Sequence, residues 1–210
     1  MAFDLDTGSN GGEGPWISWS ARGTQDGQIP QQSFYLRDEN GKSVLDAFAT
    51  GVVMDIHGMK TGWQRSDGVI GQAPEWKWNA TVAQMMPQPG EDFKKGFEVR
   101  CAIGNGQAAT WQQAGAAVWG ALTALAPSLQ QGPDGKLPMV KLTGTKPVQF
   151  KRGSTVEPIL EVAQWVDRPD CLKEGAAAGI ATDPAPQPTA QPAPQPTAQP
   201  AASVPADVSF

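Results

Sequence analysis

The chain has 210 residues, and its 24 Gly and 19 Pro make about a fifth of it turn-forming. Two Cys and one His are too few for a disulfide scaffold or a structural zinc cluster, and no uncharged apolar run approaches the roughly 18 residues of a membrane-spanning helix. The net charge of −5 argues at first sight against a polyanionic partner, and Met1–Asn10, with two acids and no base, does not read as a signal peptide.

Trp16–Ser20 and Ser33–Arg37 are short, aromatic or β-branched, and bounded by Gly, Pro and Asn, so both are predicted strands. Asp38-Glu39-Asn40-Gly41 predicts a hairpin turn, because Asn-Gly readily takes positive φ. Gly51–His57 is a third predicted strand. Glu75–Val82 alternates with period two, which puts Trp76, Trp78 and Ala80 on one face and Lys77 and Asn79 on the other. Gly96–Ile103 alternates in the same way, with Phe97, Val99, Cys101 and Ile103 facing together. Gln107–Ala126 is rich in Ala, Gln and Leu and predicts the one helix. Its Trp111, Val118, Trp119, Leu122 and Leu125 recur at helical spacing, and Pro127 ends it. Met139–Thr143, Val148–Arg152 and Val156–Val166 follow as strands, with Pro158 marking the last as an edge or a bulge.

Several strands, one helix and further strands predict a mainly β fold with one α-helix. An OB-like antiparallel barrel with extra hairpins fits this order best, and other β-rich α+β folds stay open. The body would span residues 1–175, long enough to bury a core unaided.

The net charge conceals a pattern. Residues 1–59 sum to −5, residues 60–152 carry eleven bases against six acids and sum to +5, and residues 153–210 return to −5. The basic middle also holds aromatic residues. Trp63 lies between Lys60 and Arg65, and Lys77 lies between Trp76 and Trp78. Lys94, Lys95 and Arg100 follow, then Lys141, Lys146, Lys151 and Arg152, with Phe150 beside the last two. Aromatic faces that stack on bases, interleaved with cations that neutralise phosphate, are what sequence-tolerant binding of a single strand needs. The same rings would serve equally to fill a core. The evenly spaced bases near residue 141 form one stripe only if turns intervene, which Gly144 and Pro147 allow.

Eight of the 19 prolines fall in the last 35 residues, and APQPTAQP occurs at 185–192 and again at 193–200. Residues 176–205 therefore read as a disordered, extended linker with no large apolar group to bury. Beyond it, residues 206–210 end in Asp207-Val208-Ser209-Phe210, an apolar ring joined to a terminal carboxylate, suited to a hydrophobic pocket rimmed by basic residues.

A β-rich body bearing many Trp, a Pro/Gln linker and a short acidic tip ending in Phe together resemble a bacterial or bacteriophage single-stranded DNA-binding protein. The resemblance implies an OB-fold body that binds the strand, and a tip, Asp207 and Phe210, that recruits replication or recombination proteins. The tip departs from the family pattern, having one Asp and Ser209 where a run of acids and a Pro are usual. Composition and the missing signal and membrane segments predict a cytoplasmic protein with no membrane partner and no cofactor. The resemblance would place it in a bacterial host cell, and a homo-oligomer stays open. The alternative is a non-enzymatic β-sandwich module, either carbohydrate-binding or a phage particle component.

No enzyme is expected. Gly104-Asn105-Gly106 lacks the spacing of a phosphate loop and reads as a turn with a helix cap. His57 has no nucleophile motif near it. Cys101 lies on the apolar face of its strand, and Cys171 has no base in view. The acidic pairs Asp38-Glu39 and Glu91-Asp92 are adjacent in sequence and read as solvated loops.

Overall fold

A computed structural model describes residues 14–66, 73–150 and 153–173. The linker, the tip with Asp207 and Phe210, and the pair Lys151 and Arg152 lie outside the described residues.

The described residues form a mainly β fold with few helices. The strands are β1 Trp16–Ser20, β2 Ser33–Asp38, β3 Gly41–Val44, β4 Val52–Met54, β5 Lys60–Arg65, β6 Glu75–Trp78, β7 Lys94–Ala102, β8 Ala108–Ala114, β9 Leu137–Phe150 and β10 Gly153–Val166. A short helix α1, Ala47–Thr50, precedes β4, and the main helix α2 is Ala116–Leu129. The sheet runs β10-β9-β4-β7-β8-β1-β2-β3. Strands β5 and β6 branch from β7. The pair β1–β8 is parallel and every other pair is antiparallel. Turn chemistry sets the β2–β3 hairpin, whose register pairs Asp38 with Gly41 around Glu39 and Asn40.

Several predicted elements differ, and the strand predicted at Glu75–Val82 ends at Trp78. Residues 108–114 are a strand, although the sequence places them in a helix. They pair with β7 from Ala102↔Ala108 to Gly96↔Ala114, and Ala109 and Trp111 are buried in period two. The weak helical preference of Ala and Gln yields to a full ladder and a buried indole. Gly115, at φ 128°, then turns the chain into α2. Pro127 sits inside the last turn of α2 and does not end it. Gly104 and Gly106, with Asn105 also at positive φ, make the β7–β8 turn and cap no helix.

The third predicted strand shortens to β4. Asp55 accepts a bond from the Gly58 amide at 3.4 Å and caps a 3-10 turn, Ile56–Gly58, ahead of β5. Downstream, three predicted strands become two of 14 residues each. Gly144 and Pro147 lie within β9 because each is paired across the hairpin, with Ile159 and Val156. Pro158 falls on β10, the last strand in the sheet order, beside a register shift at Ile159/Leu160.

The main core lies between α2 and the inner sheet face. Phe34 stacks on Phe48 with centroids 3.8 Å apart, and Trp111 meets Phe34, Phe48 and Phe97 edge-on at 5.2, 5.7 and 4.8 Å. Val118, Leu122 and Leu125 of α2 close over it. A smaller cluster, Val53, Ala102, Leu137 and Leu172, packs on the other side of β4 and β7. Arg168 fixes it by bonding both Asp55 carboxylate oxygens, at 2.5 and 2.8 Å, and the Leu172 carbonyl at 3.1 Å. Among the described residues no strand ladder joins β10 to β1. Two side chains span that gap: Trp19 Nε1 donates to the Val156 carbonyl at 3.0 Å, and Arg22 donates to the Ser154 carbonyl at 2.8 Å.

Candidate functional site

The paired part of the branch β5–β6–β7 gathers eight of the sequence-predicted residues. Cross-strand partners share a face, so the register sorts them. One face carries the row Trp76–Gln64–Lys94, then Trp78–Gly62–Gly96, then Lys60–Glu98. The opposite face carries Lys77–Trp63–Lys95 and Glu75–Arg65. Gly62 and Gly96 allow the tight coil of this branch. A Cβ on Gly62 would lie 2.3 Å from the Lys77 carbonyl, and one on Gly96 would lie 2.7 Å from the Gln113 carbonyl.

Trp76 and Trp78 are stacked on each other, 4.4 Å between centroids and 9° from parallel, and both are half-buried. Lys60 Nζ stands 5.8 Å from the Trp78 ring while bonding Glu98 at 2.9 Å. Glu98 is held in turn by Gln112 at 2.6 Å. The buried Trp76 Nε1–H finds no partner among the described residues. Such an orphaned donor costs about 1–3 kcal/mol.

Trp63 differs from its neighbours. Its ring is 7% exposed and its Nε1 donates to the Met86 carbonyl at 3.0 Å. The segment after β6 folds over it. Asn79 bonds Thr61 through both backbone and side chain at 2.8 Å, and the Met86 amide bonds Asn79 Oδ1 at 2.9 Å. Trp63 therefore offers no free ring for a base, which corrects its reading as a stacking contact. On the same face Phe93, missed as a site residue, lies under Arg65 at 5.4 Å and Lys77 at 5.1 Å. Arg65 and Lys77 also meet Glu75, at 2.7 and 3.6 Å. The sequence signal for Phe93 was present, since it directly precedes Lys94 and Lys95.

Lys94 and Lys95 are exposed. Lys95 Nζ lies 5.7 Å from the Trp63 ring and 5.8 Å from that of Trp119 on α2. The Lys95 carbonyl accepts the Gly115 amide at 2.9 Å, so this lysine stands beside the start of α2. There an open cleft of about 260 Å³ is lined by Trp19, Ala21, Thr155, the first turn of α2 and Phe150. Phe150, 42% exposed, ends β9.

Two candidates are engaged elsewhere. Arg100 donates to the Cys171 carbonyl at 3.2 Å and holds the C-terminal turn. Lys146 pairs at 2.8 Å with Glu157, itself 5% exposed. Lys141 is half-buried in β9, opposite Glu161. Lys141 and Lys146 of the continuous β9 lie opposite Glu161 and Glu157 of β10, and Lys151 and Arg152 lie outside the described residues.

Among the described residues no group of three His, Cys, Asp or Glu could hold a metal ion, and no helix is long and apolar enough to cross a membrane. No protein-family model, curated protein or solved structure matches this chain.

Proposed function

We propose that the chain is a non-enzymatic, sequence-tolerant single-stranded DNA-binding protein with an OB-like body, serving phage or bacterial DNA replication or recombination in the host cytoplasm. One observation carries the reading. If β4 and β5 count as one strand broken by the 3-10 turn, the five strands β4/β5, β7, β8, β9 and β10 stand in spatial order fifth, fourth, first, second, third, with α2 between third and fourth. That is the strand order of an OB barrel. Such barrels hold oligonucleotides on their second and third strands and on the loops joining first to second and fourth to fifth. In this chain the first of those loops is the segment from Arg65 to Lys94, which includes Trp76, Lys77 and Trp78. The second is the β9–β10 tip with Phe150, followed in sequence by Lys151 and Arg152. The β1–β3 meander is then an addition beside the third strand.

On this reading Trp76 and Trp78 stack bases, while Lys60, Arg65, Lys77, Lys94 and Lys95 contact phosphate. The tip, Asp207 and Phe210, recruits partner proteins, which rests on sequence alone. Titration of Trp fluorescence and of labelled oligo-dT anisotropy at two salt concentrations tests the proposal. Five neutralised phosphates give a slope of log K against log salt of about −3.5. Absence of binding at low salt overturns it. Salt-insensitive binding of an oligosaccharide instead points to the carbohydrate-binding alternative.

A further inference from the structure

The geometry points to an aromatic clamp: we infer that Trp76 and Trp78 part to admit one nucleobase between them, so that the stacked pair is the empty state of a single-base site. The inference rests on the proposed nucleic-acid reading and adds a defined subsite to it. The two residues are i and i+2 on one strand face, so their Cα atoms stand about 6.7 Å apart along the strand. Two indoles held upright at that separation leave room for one planar ring of about 3.4 Å thickness, the step of stacked bases. In this structure the rings lean together to 4.4 Å. Each indole thus covers the ring face that a base would otherwise take.

Three further observations agree. Strand β6 pairs with β5 and with no other strand among the described residues, so the clamp sits on an edge where rotamers can change without disturbing the main core. The closed pair leaves the Trp76 Nε1–H without a partner. The sugar and phosphate oxygens of the admitted nucleotide lie outside the base plane and can take this in-plane donor once the pair opens. Lys60 beside Trp78 and Lys94 in the Trp76 row supply cations at both ends for the attached phosphates. The ligand class is therefore a phosphate-bearing planar heterocycle.

The test uses the exciton couplet that two stacked indoles produce in far-ultraviolet circular dichroism. The full-length protein should show the couplet, and W76F and W78F should each lose it while melting cooperatively. Oligo-dT should abolish the couplet, whereas an abasic strand of the same length should leave it intact. W76A should weaken oligo-dT binding at least roughly fivefold. A mononucleotide at high concentration serves as a second probe. Oligo-dT bound by anisotropy with the couplet unchanged overturns the clamp and leaves strand binding standing. Loss of the couplet with mononucleotide but no oligo-dT binding keeps the clamp and removes strand binding. A wild-type protein without a couplet, or one indifferent to every probe, overturns the clamp.

Discussion

Replacing Lys146 with Met should cost stability and leave strand binding nearly unchanged, although the sequence marks Lys146 as a phosphate contact. Its Nζ lies 2.8 Å from Glu157, the acid directly opposite on β10. Glu157 is buried at 5% exposure, and its carboxylate lies where a side chain on Gly120 of α2 would be, 2.3 Å from a Cβ built there. Removing one partner of a fully buried ion pair costs about 3–5 kcal/mol. Lys146 keeps half its side chain in water, which cuts the figure to about 1–2 kcal/mol. For a body of this size that is a fall in Tm of roughly 2–8 °C. Thermal melts of K146M, E157Q and the double variant measure it, and the double variant should recover part of the loss, because no buried charge is left unpaired. G120A provides an independent check. Helix propensity alone predicts a gain of about 1 kcal/mol, yet the clash with the Glu157 carboxylate should make it a loss. Unchanged Tm in K146M, together with weakened oligo-dT binding, would refute the reasoning and return Lys146 to the binding surface.

Other outcomes follow from the same geometry. K94Q and K95Q should each weaken oligo-dT binding and reduce its salt slope by about 0.7, without lowering Tm; an unaltered slope in both would remove them from the interface. W63F should lose the bond to the Met86 carbonyl and part of its packing, destabilising by about 1–3 kcal/mol. Its affinity per folded molecule should hold, as read by melts and by titration of the folded fraction. Burial pushes the Cys101 thiol well above its ordinary range. A thiol reagent should therefore modify Cys171 in the native protein and reach Cys101 only on unfolding. The sign for stability also follows. The unfolded chain ionises Cys101 above the ordinary thiol pKa of about 8.5 while the folded one does not. Cys101 therefore contributes fully below that pH, and its contribution falls as pH rises. A melt series across that range checks it against C101A.

The short strands were legible because their signals are local. Alternation in Gly96–Ile103 and in the first half of Glu75–Val82 states which residues share a face, and Asn40-Gly41 states where the chain reverses. The strand at Ala108–Ala114 was not legible. Its Ala and Gln have no strong β preference, and its Trp111 falls seven residues before Val118, a spacing that mimics a helix stripe. Only the paired register with β7 separates the two readings. The long β9–β10 hairpin was obscured in the same way, because Gly144 and Pro147 look like breaks until their partners on β10 are known.

The sequence alone determined that this is a mainly β body, that Trp76 and Trp78 share a face apart from Lys77, and that the positive charge lies in its middle. These follow from backbone periodicity and composition, which need no partner. Only the tertiary structure decided which aromatic and basic groups remain available. Trp63, Trp76 and Trp78 carry the same side chain and lie within 16 positions of one another. One is buried under the segment from Asn79 to Met86, and the other two stand half-exposed on an edge strand. Lys146 and Lys94 carry the same charge, yet one is paired with a buried acid while the other faces solvent. Exposure and pairing depend on which distant segments pack against a side chain, and no local pattern encodes that.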